Sequence, residues 1–530
     1  MPSRSMFKWL VCGAVLNVVL LAPLWLRFGE LATGWIALEA WWGVAVLVLL
    51  PAWRWRPVLC WGLVVLVMLV VLVGLGDTAM HLALGRALNL YFDVPLLLSI
   101  YHLLVGSLGT LLAVAVCVVM LAMLVGLATL LARWLRRLPR VRLGTPIGMA
   151  AGVMLLASTL LMVGEMNDRR LVAIVRMPVL DTLVFQARQV LETHRERRAF
   201  IATLEASPKS VRVLEGLRDK DVILAFIESY GISAITDERY GKVLVPRLEE
   251  LAQRLETAGL SVVSGTLASP TRGGQSWLAH ATTLSGRWID NQLWYRLMLD
   301  SDQATLIDDF RATGHTTVAV TPAITRPWPE GRAYGFDQIH AAADIDYAGP
   351  PLNWVTMPDQ FTLHHFQQRI REPHEEPLFA QLVLISSHAP WVPILPLLED
   401  WDTVGDGSIF ARWVDAGEPP EVLWQDLERV REHFALSVDY AVNATLRWAE
   451  DFVDDQTLMI VVGDHQPALL ITGDDASAGV PVHVISGDAR LLKPFLARGF
   501  VAGTLPPTTT ERPRMDLVRH WLHEDFGAPR

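Results

Sequence analysis

The sequence predicts a multi-domain chain: an N-terminal five-helix transmembrane bundle, then a C-terminal α/β domain whose mostly parallel sheet is sandwiched by helices. Three observations carry this. The 530 residues are 52% hydrophobic, and the excess is concentrated in the first third. Within that third lie five apolar stretches of membrane-spanning length. From Asp221 onward, short β-branched runs alternate with amphipathic helical patterns, which implies helices on both faces of a mostly parallel sheet.

The five stretches are 9–28, 35–53, 57–76, 108–132 and 145–164, each long enough to cross a hydrocarbon core of roughly 30 Å as a helix. The first has no small-residue cleavage site after it and is followed at once by more spans, so it reads as an anchor. Arg4 and Lys8, then Arg54 and Arg56, then Arg133, Arg136, Arg137, Arg140 and Arg142 flank alternate ends of the spans. These ends are therefore cytoplasmic, and an odd number of spans places the C-terminal bulk beyond the plasma (inner) membrane, in the periplasm or its equivalent. The stretch 78–106 is apolar but interrupted by His81, Arg86, Asp93, Pro95 and His102, and reads as an interfacial or re-entrant helix on the outer face. The alternative, a sixth crossing, would put the basic loop outside. A polar connector, 168–220, with a helical pattern over 184–204, separates the transmembrane domain (1–167) from the outer domain (221–530).

Charge narrows the function. Up to Glu165 there are 11 Lys and Arg against 5 Asp and Glu, leaving 34 of the 45 basic and 50 of the 55 acidic residues for the remainder. So acidic an outer domain argues against nucleic acid, whose phosphates need Lys and Arg patches to displace their counterions. Cys12, Cys60 and Cys117 all sit in apolar runs, so the outer domain has no disulfide framework.

In that domain strands are expected at 222–227, 260–263, 316–320, 382–385, 458–462 and 482–485, and helices at 245–257, 303–313, 357–370 and 424–452. Ligands in open α/β sheets bind beyond the carboxyl ends of the strands. Glu228 stands at the end of Asp221-Val-Ile-Leu-Ala-Phe-Ile, a run too short for an amphipathic helix and suited to a strand buried on both faces. Leu458-Met-Ile-Val-Val-Gly463 repeats the arrangement and delivers Asp464 and His465, a carboxylate and an imidazole able to share one metal ion with Glu228. Either motif alone is also consistent with a polar turn after a strand. Gly273-Gly274-Gln275 before Ser276, with a helical pattern over 278–284, puts Ser276 at a helix N-terminus, where it is an anion-binding hydroxyl and candidate nucleophile or an ordinary N-cap. His388, in Ser386-Ser387-His388-Ala-Pro390, follows another strand and is a candidate proton donor or a packed loop histidine.

The order of Glu228, Gly-Gly-Gln-Ser276, the segment from Gly314 through Trp328 to Tyr334-Gly-Phe-Asp337, His388-Ala-Pro and Gly463-Asp464-His465 resembles the lipoteichoic acid synthase branch of the alkaline phosphatase and sulfatase superfamily. The five-span anchor before an external domain resembles it too. That resemblance implies an alkaline phosphatase/sulfatase-like catalytic domain holding one Mn²⁺-like divalent cation, with Mg²⁺ or Zn²⁺ as alternatives, on Glu228, Ser276, Asp464 and His465. Ser276 would be the nucleophile, and Trp328, Arg332 and His388 would line the headgroup pocket. The donor would be a membrane phospholipid and the acceptor an envelope glycan or lipid. Three positions depart from the family pattern: serine stands for the usual threonine, Thr321 or Pro322 for a histidine that often follows the third strand, and Gln466-Pro467 follows Asp464-His465. The second of these bears on which headgroup is taken.

The expected activity is phosphoglycerol transfer from phosphatidylglycerol through a covalent Ser276 intermediate. Phosphoethanolamine transfer ranks below it, since enzymes of that kind typically carry several disulfides in the external domain. Sulfatase or phosphodiesterase hydrolysis follows: Ala268-Ser-Pro270-Thr-Arg272 is similar to the sulfatase Cys/Ser-x-Pro-x-Arg pattern, but alanine stands at the nucleophile position. A non-catalytic membrane sensor or scaffold is the alternative of a different class, and it does not explain why ligands and nucleophile are all retained.

Overall fold

The computed structural model describes residues 3–28, 34–51, 53–167, 172–206, 210–473, 476–509 and 511–528. The expected start of the polar connector, Asp168, lies outside the described residues, as does Ala52 in the second apolar stretch. The chain divides into two compact units, one of Met1–Leu82 with Arg86–Arg198, the other of Ala83–Gly85 with Ala199–Arg530.

The first unit is built from α1 (Ser3–Phe28), α2 (Leu38–Leu49), α3 (Arg56–Leu84), α4 (Leu90–Asp93), α5 (Leu96–Arg136) and α6 (Pro146–Met166). A two-residue parallel pair joins β1 (Ile36–Ala37) to β2 (Val175–Arg176), and most of α7 (Pro178–Ala206) follows. Among the described residues four helices are long and apolar enough to cross a membrane: Met6–Phe28, Arg56–Leu84, Gly109–Arg136 and Pro146–Met166. The second of the five expected spans differs. Over 35–53 only Leu38–Leu49 is helical, and 12 residues rise about 18 Å, short of the ~30 Å core. Hydropathy registered the apolar run but not its interruption by Pro51. The expected outer helix over 78–106 is divided as well. Its first part continues α3 to Leu84, its middle is the single turn α4, and its last part begins α5, which breaks at Gly109 (φ 76°).

The second unit is an eight-stranded sheet between helices. Its strands are β3 (Asp221–Ile227), β4 (Ser261–Ala268), β5 (Thr316–Thr321), β6 (Gln338–Ala341), β7 (Leu378–Leu384), β8 (Thr457–Gly463), β9 (Gly479–Ser486) and β10 (Val501–Ala502), in the order β10-β4-β9-β8-β3-β7-β5-β6. The five from β8 to β6 pair in parallel, and antiparallel pairing begins at β9. Each central strand is buried on both faces, which is why it reads as an unbroken apolar run. Along β3, Ile223, Ala225 and Ile227 enter one core while Val222, Leu224 and Phe226 enter the other, as a period of two requires. The first core is covered by α9 (Glu238–Thr257), reached through the single turn α8 (Ser233–Thr236), and by the helix Leu427–Phe452. The second packs α10 (Ser276–Ser285) and the C-terminal helix Leu517–Phe526.

Candidate active site

Parallel pairing sets the site. β8 and β3 run side by side with Ile227 opposite Gly463, so the residues that follow them, Glu228 and Asp464, emerge together at the carboxyl edge of the sheet. Glu228 extends the ladder by one bond, its N–H donating to the Leu384 carbonyl of β7 at 3.0 Å. The chain then turns sharply at Ser229, a non-glycine residue in the left-handed region (φ 56°). That turn aims the Ser229 N–H at Asp464 Oδ1, 2.8 Å away, and the same oxygen accepts from the His465 N–H at 2.6 Å. Gly463 is glycine because a Cβ there would run into the Tyr230 carbonyl.

Ser276 arrives from a distant part of the sequence. The loop after β4 is stitched to the segment after β8: Ser269 Oγ donates to the Asp464 carbonyl at 2.6 Å and the Gly273 N–H to the Gln466 carbonyl at 2.8 Å. Gln275, also left-handed (φ 64°), then turns the chain into α10, and Ser276 is the first residue of that helix. Left-handed residues thus sit immediately after Glu228 and immediately before Ser276. Ser276 Oγ donates to Glu228 Oε2 at 2.8 Å and lies 3.2 Å from His465 Nε2. His465 Nε2 is 3.1 Å from Glu228 Oε1 and 3.7 Å from Asp464 Oδ2, while His465 Nδ1 faces the Gln466 carbonyl at 2.8 Å. With Nδ1 bonded to a carbonyl, Nε2 is the ring nitrogen left to serve as a lone-pair ligand.

Glu228, Asp464 and His465 are all buried, and one ligand atom of each lies within 4.8 Å of the others. Burial would raise the Glu228 carboxyl, but the His465 imidazole, with smaller help from His388 and Ser276, holds it below the ordinary carboxylate range. Asp464 moves the other way, pushed up by burial and by the Glu228 carboxylate beside it. Burial would lower His465, and the two carboxylates raise it instead. Two buried carboxylates this close are a standing electrostatic conflict that a divalent cation would relieve, and carboxylate, carboxylate and imidazole suit such an ion. The residues present fit a metal.

Beside this cluster lies a cavity of about 330 Å³. Glu228, Ser276 and His388 border it, and Trp277, Tyr295, Trp328, Tyr334 and Trp354 supply aromatic walls. The structure therefore brings Glu228, Ser276, Asp464 and His465 together, with His388 and Trp328 on the adjoining cavity. It does not bring Arg332 there. That side chain is exposed on the short helix Pro329–Tyr334, whose inward residue is Tyr334. Sequence reasoning missed His280, one helical turn beyond Ser276 on α10, although the i, i+4 spacing was a usable signal. It also missed Gln381, a lone amide inside the apolar run of β7.

A family model described as Sulfatase matches residues 220–488, just over half of the chain. The chain belongs to the sulfatase family. A search of curated proteins finds no match to this sulfatase-family chain. Among solved structures, the integral membrane lipooligosaccharide phosphoethanolamine transferase A of Neisseria meningitidis is 13% identical, covering 98% of this chain and 94% of that one with a TM-score of 0.46. The lipoteichoic acid synthase LtaP from Listeria monocytogenes is 13% identical over 59% of this chain and 72% of that one, with a TM-score of 0.34. The Streptococcus pyogenes phosphoglycerol transferase GacH, in complex with sn-glycerol-1-phosphate, is 13% identical over 55% and 73%, with a TM-score of 0.35.

Proposed function

We propose that this chain is a membrane-anchored, metal-dependent phosphotransferase that moves a phospho-headgroup, phosphoglycerol from phosphatidylglycerol, to an envelope glycan or lipid acceptor. The observation that carries the reading is the Ser276 hydroxyl at the start of α10, in hydrogen-bond reach of both Glu228 and His465 inside the buried Glu228, Asp464 and His465 cluster. Glu228, Ser276, Asp464 and His465 would hold the ion, with Mn²⁺ favoured and Mg²⁺ or Zn²⁺ as alternatives. A bound divalent cation would lower the pKa of the serine hydroxyl and offset phosphoryl charge.

The chain's own groups then divide the work. Ser276 Oγ, its proton already shared with Glu228, attacks the phosphorus, and the P–O bond to diacylglycerol breaks. The leaving oxygen takes a proton from His388 at the cavity rim. An acceptor hydroxyl then gives its proton to the His388 deprotonated in the first step and attacks the phosphoserine diester, and the departing Ser276 oxygen takes back its proton from Glu228. The N-terminal end of α10 presents its positive dipole end to the anionic phosphoryl group throughout. Anchoring is consistent with a lipid donor, because tethering raises the effective concentration at a bond lying at headgroup depth. In this reading the N-terminus is cytoplasmic and the second unit lies outside the plasma membrane.

The test is turnover of labelled phosphatidylglycerol by purified full-length protein, with products weighed by mass spectrometry. Wild type should release diacylglycerol, and Ser276→Ala and Glu228→Ala should not. Equal release by all three would remove the proposed chemistry.

A further inference from the structure

His388 is exposed on the loop after β7, and its ring hydrogen-bonds through Nδ1 to the Ala389 carbonyl. That partner belongs to the same loop, so the bond orients the ring within the loop and does not fix the loop on the sheet. Two buried side chains at the start of the helix Asp359–His365 do that. Asp359 Oδ1 accepts from the Ile385 N–H at 2.6 Å and from the Ser386 N–H at 2.9 Å, and the Asp359 N–H donates back to Ser386 Oγ at 2.8 Å. The next residue, Gln360, holds the far end of the loop. Its Nε2 donates to the Leu398 carbonyl at 2.7 Å and its Oε1 accepts from the Leu398 N–H at 3.0 Å. Between these points Ser387 Oγ donates to the Glu228 carbonyl, which ties the residue before His388 to the strand end that carries the cluster.

Asp359 is 0% exposed, and its second oxygen, Oδ2, has no hydrogen-bond partner. A carboxylate is costly to bury, and its bonds to N–H groups are about twice as strong as those of a neutral acceptor. Here both of those bonds go to the two residues that open the loop bearing His388, which borders the cavity with Ser276.

We propose that Asp359 is a positioning residue: by clamping Ile385 and Ser386 it holds His388 where its proton reaches the oxygen of the departing diacylglycerol. The inference rests on the phosphotransfer reading, in which His388 protonates that oxygen as the P–O bond breaks; Asp359 acts through the loop and takes no part in the bond changes. The test compares two donors on purified full-length protein in Mn²⁺. One is phosphatidylglycerol, whose leaving oxygen needs a proton; the other is a nitrophenyl ester of glycerol phosphate, whose nitrophenolate departs without one. Asp359→Leu, similar in volume and without an acceptor, should lower kcat for phosphatidylglycerol by about a hundredfold relative to the nitrophenyl ester, with KM little changed. That ratio does not depend on how much of a preparation is folded, and loss of fold alone moves both donors equally. Asp359→Asn, which keeps an oxygen at Oδ1, should return the ratio to within about tenfold of wild type, and Ser386→Ala, which removes half of the clamp, should fall between wild type and Asp359→Leu. Adding Asp359→Leu to His388→Ala should cost nothing further in the ratio, because both changes remove one proton transfer. The proposal is overturned if Asp359→Leu lowers both donors equally or keeps the wild-type ratio, or if the double variant multiplies the two losses. Where Asp359→Leu yields no folded protein, the ratio in Ser386→Ala decides. No turnover by wild type, or a wild-type ratio in His388→Ala, would instead remove the proton donor of the phosphotransfer reading, and this proposal with it.

Discussion

Ser276 differs by one methyl from the threonine usual at this position in the branch that the sequence resembles, and what the geometry needs from it is an oxygen 2.8 Å from Glu228. Ser276→Thr should therefore keep turnover within about tenfold, whereas Ser276→Ala should cost at least roughly a thousandfold in kcat, since Ser276 is the serine that borders the cavity and reaches both Glu228 and His465. Steady-state diacylglycerol release measures both, and a threonine variant as dead as alanine would mean the serine acts as a cap and not as a nucleophile. Glu228, Asp464 and His465 were legible because each follows a short apolar run, and a buried parallel strand announces its end by the first polar residue after it. Arg332 lies exposed and is not among the residues lining the cavity, because the order of a motif fixes a position along the chain but not which side of a short helix faces inward. Gln381 escaped for the converse reason: one amide in a strand of apolar residues gives no sign of the cavity that it lines.

Elements were legible in proportion to their burial. The six strands expected from the sequence are all present, some of them longer, because strands covered on both faces are mostly apolar. Two strands of the eight-stranded sheet were missed, β6 and β10, and they lie at its edges, where half-exposed or exposed residues carry no such constraint. The turn between β8 and Asp464 gives a prediction at this scale. Gly463→Ala places a methyl against the Tyr230 carbonyl, and should lower unfolding stability by about 2 kcal/mol or more. Strand β9 gives another. Its His483 is fully buried between Tyr230 Oη, at 3.0 Å, and Ser264 Oγ, at 2.7 Å, and burial pushes its pKa down to about 4. The unfolded chain then binds the extra proton between about pH 6.5 and pH 4, so the stabilisation is complete above pH 6.5 and lost as pH falls through that window. The loss is about 3 kcal/mol for this group, and denaturant titrations at pH 7 and pH 4.5 should show a smaller difference in His483→Gln than in wild type. An unchanged difference would mean the ring is already protonated in the fold.

At the scale of the whole molecule, the α/β unit followed the sequence closely and the helical unit less so. Hydropathy counts apolar residues, and it counted a second span where the helix Leu38–Leu49 is too short to cross unaided. The four long apolar helices still require a bilayer or detergent, so the protein should stay with membranes through high salt and alkaline carbonate and leave only with detergent. Release by salt alone would contradict membrane spanning.

Everything proposed for the chemistry depends on one ion held where β3, β8 and α10 converge. Metal content settles it most directly: full-length wild type and Asp464→Ala with Glu228→Ala, each loaded with Mn²⁺, desalted and measured by inductively coupled plasma mass spectrometry. About one ion per chain in wild type and close to none in the double variant is the expected result. Equal metal in the two proteins, or none in wild type, would contradict it.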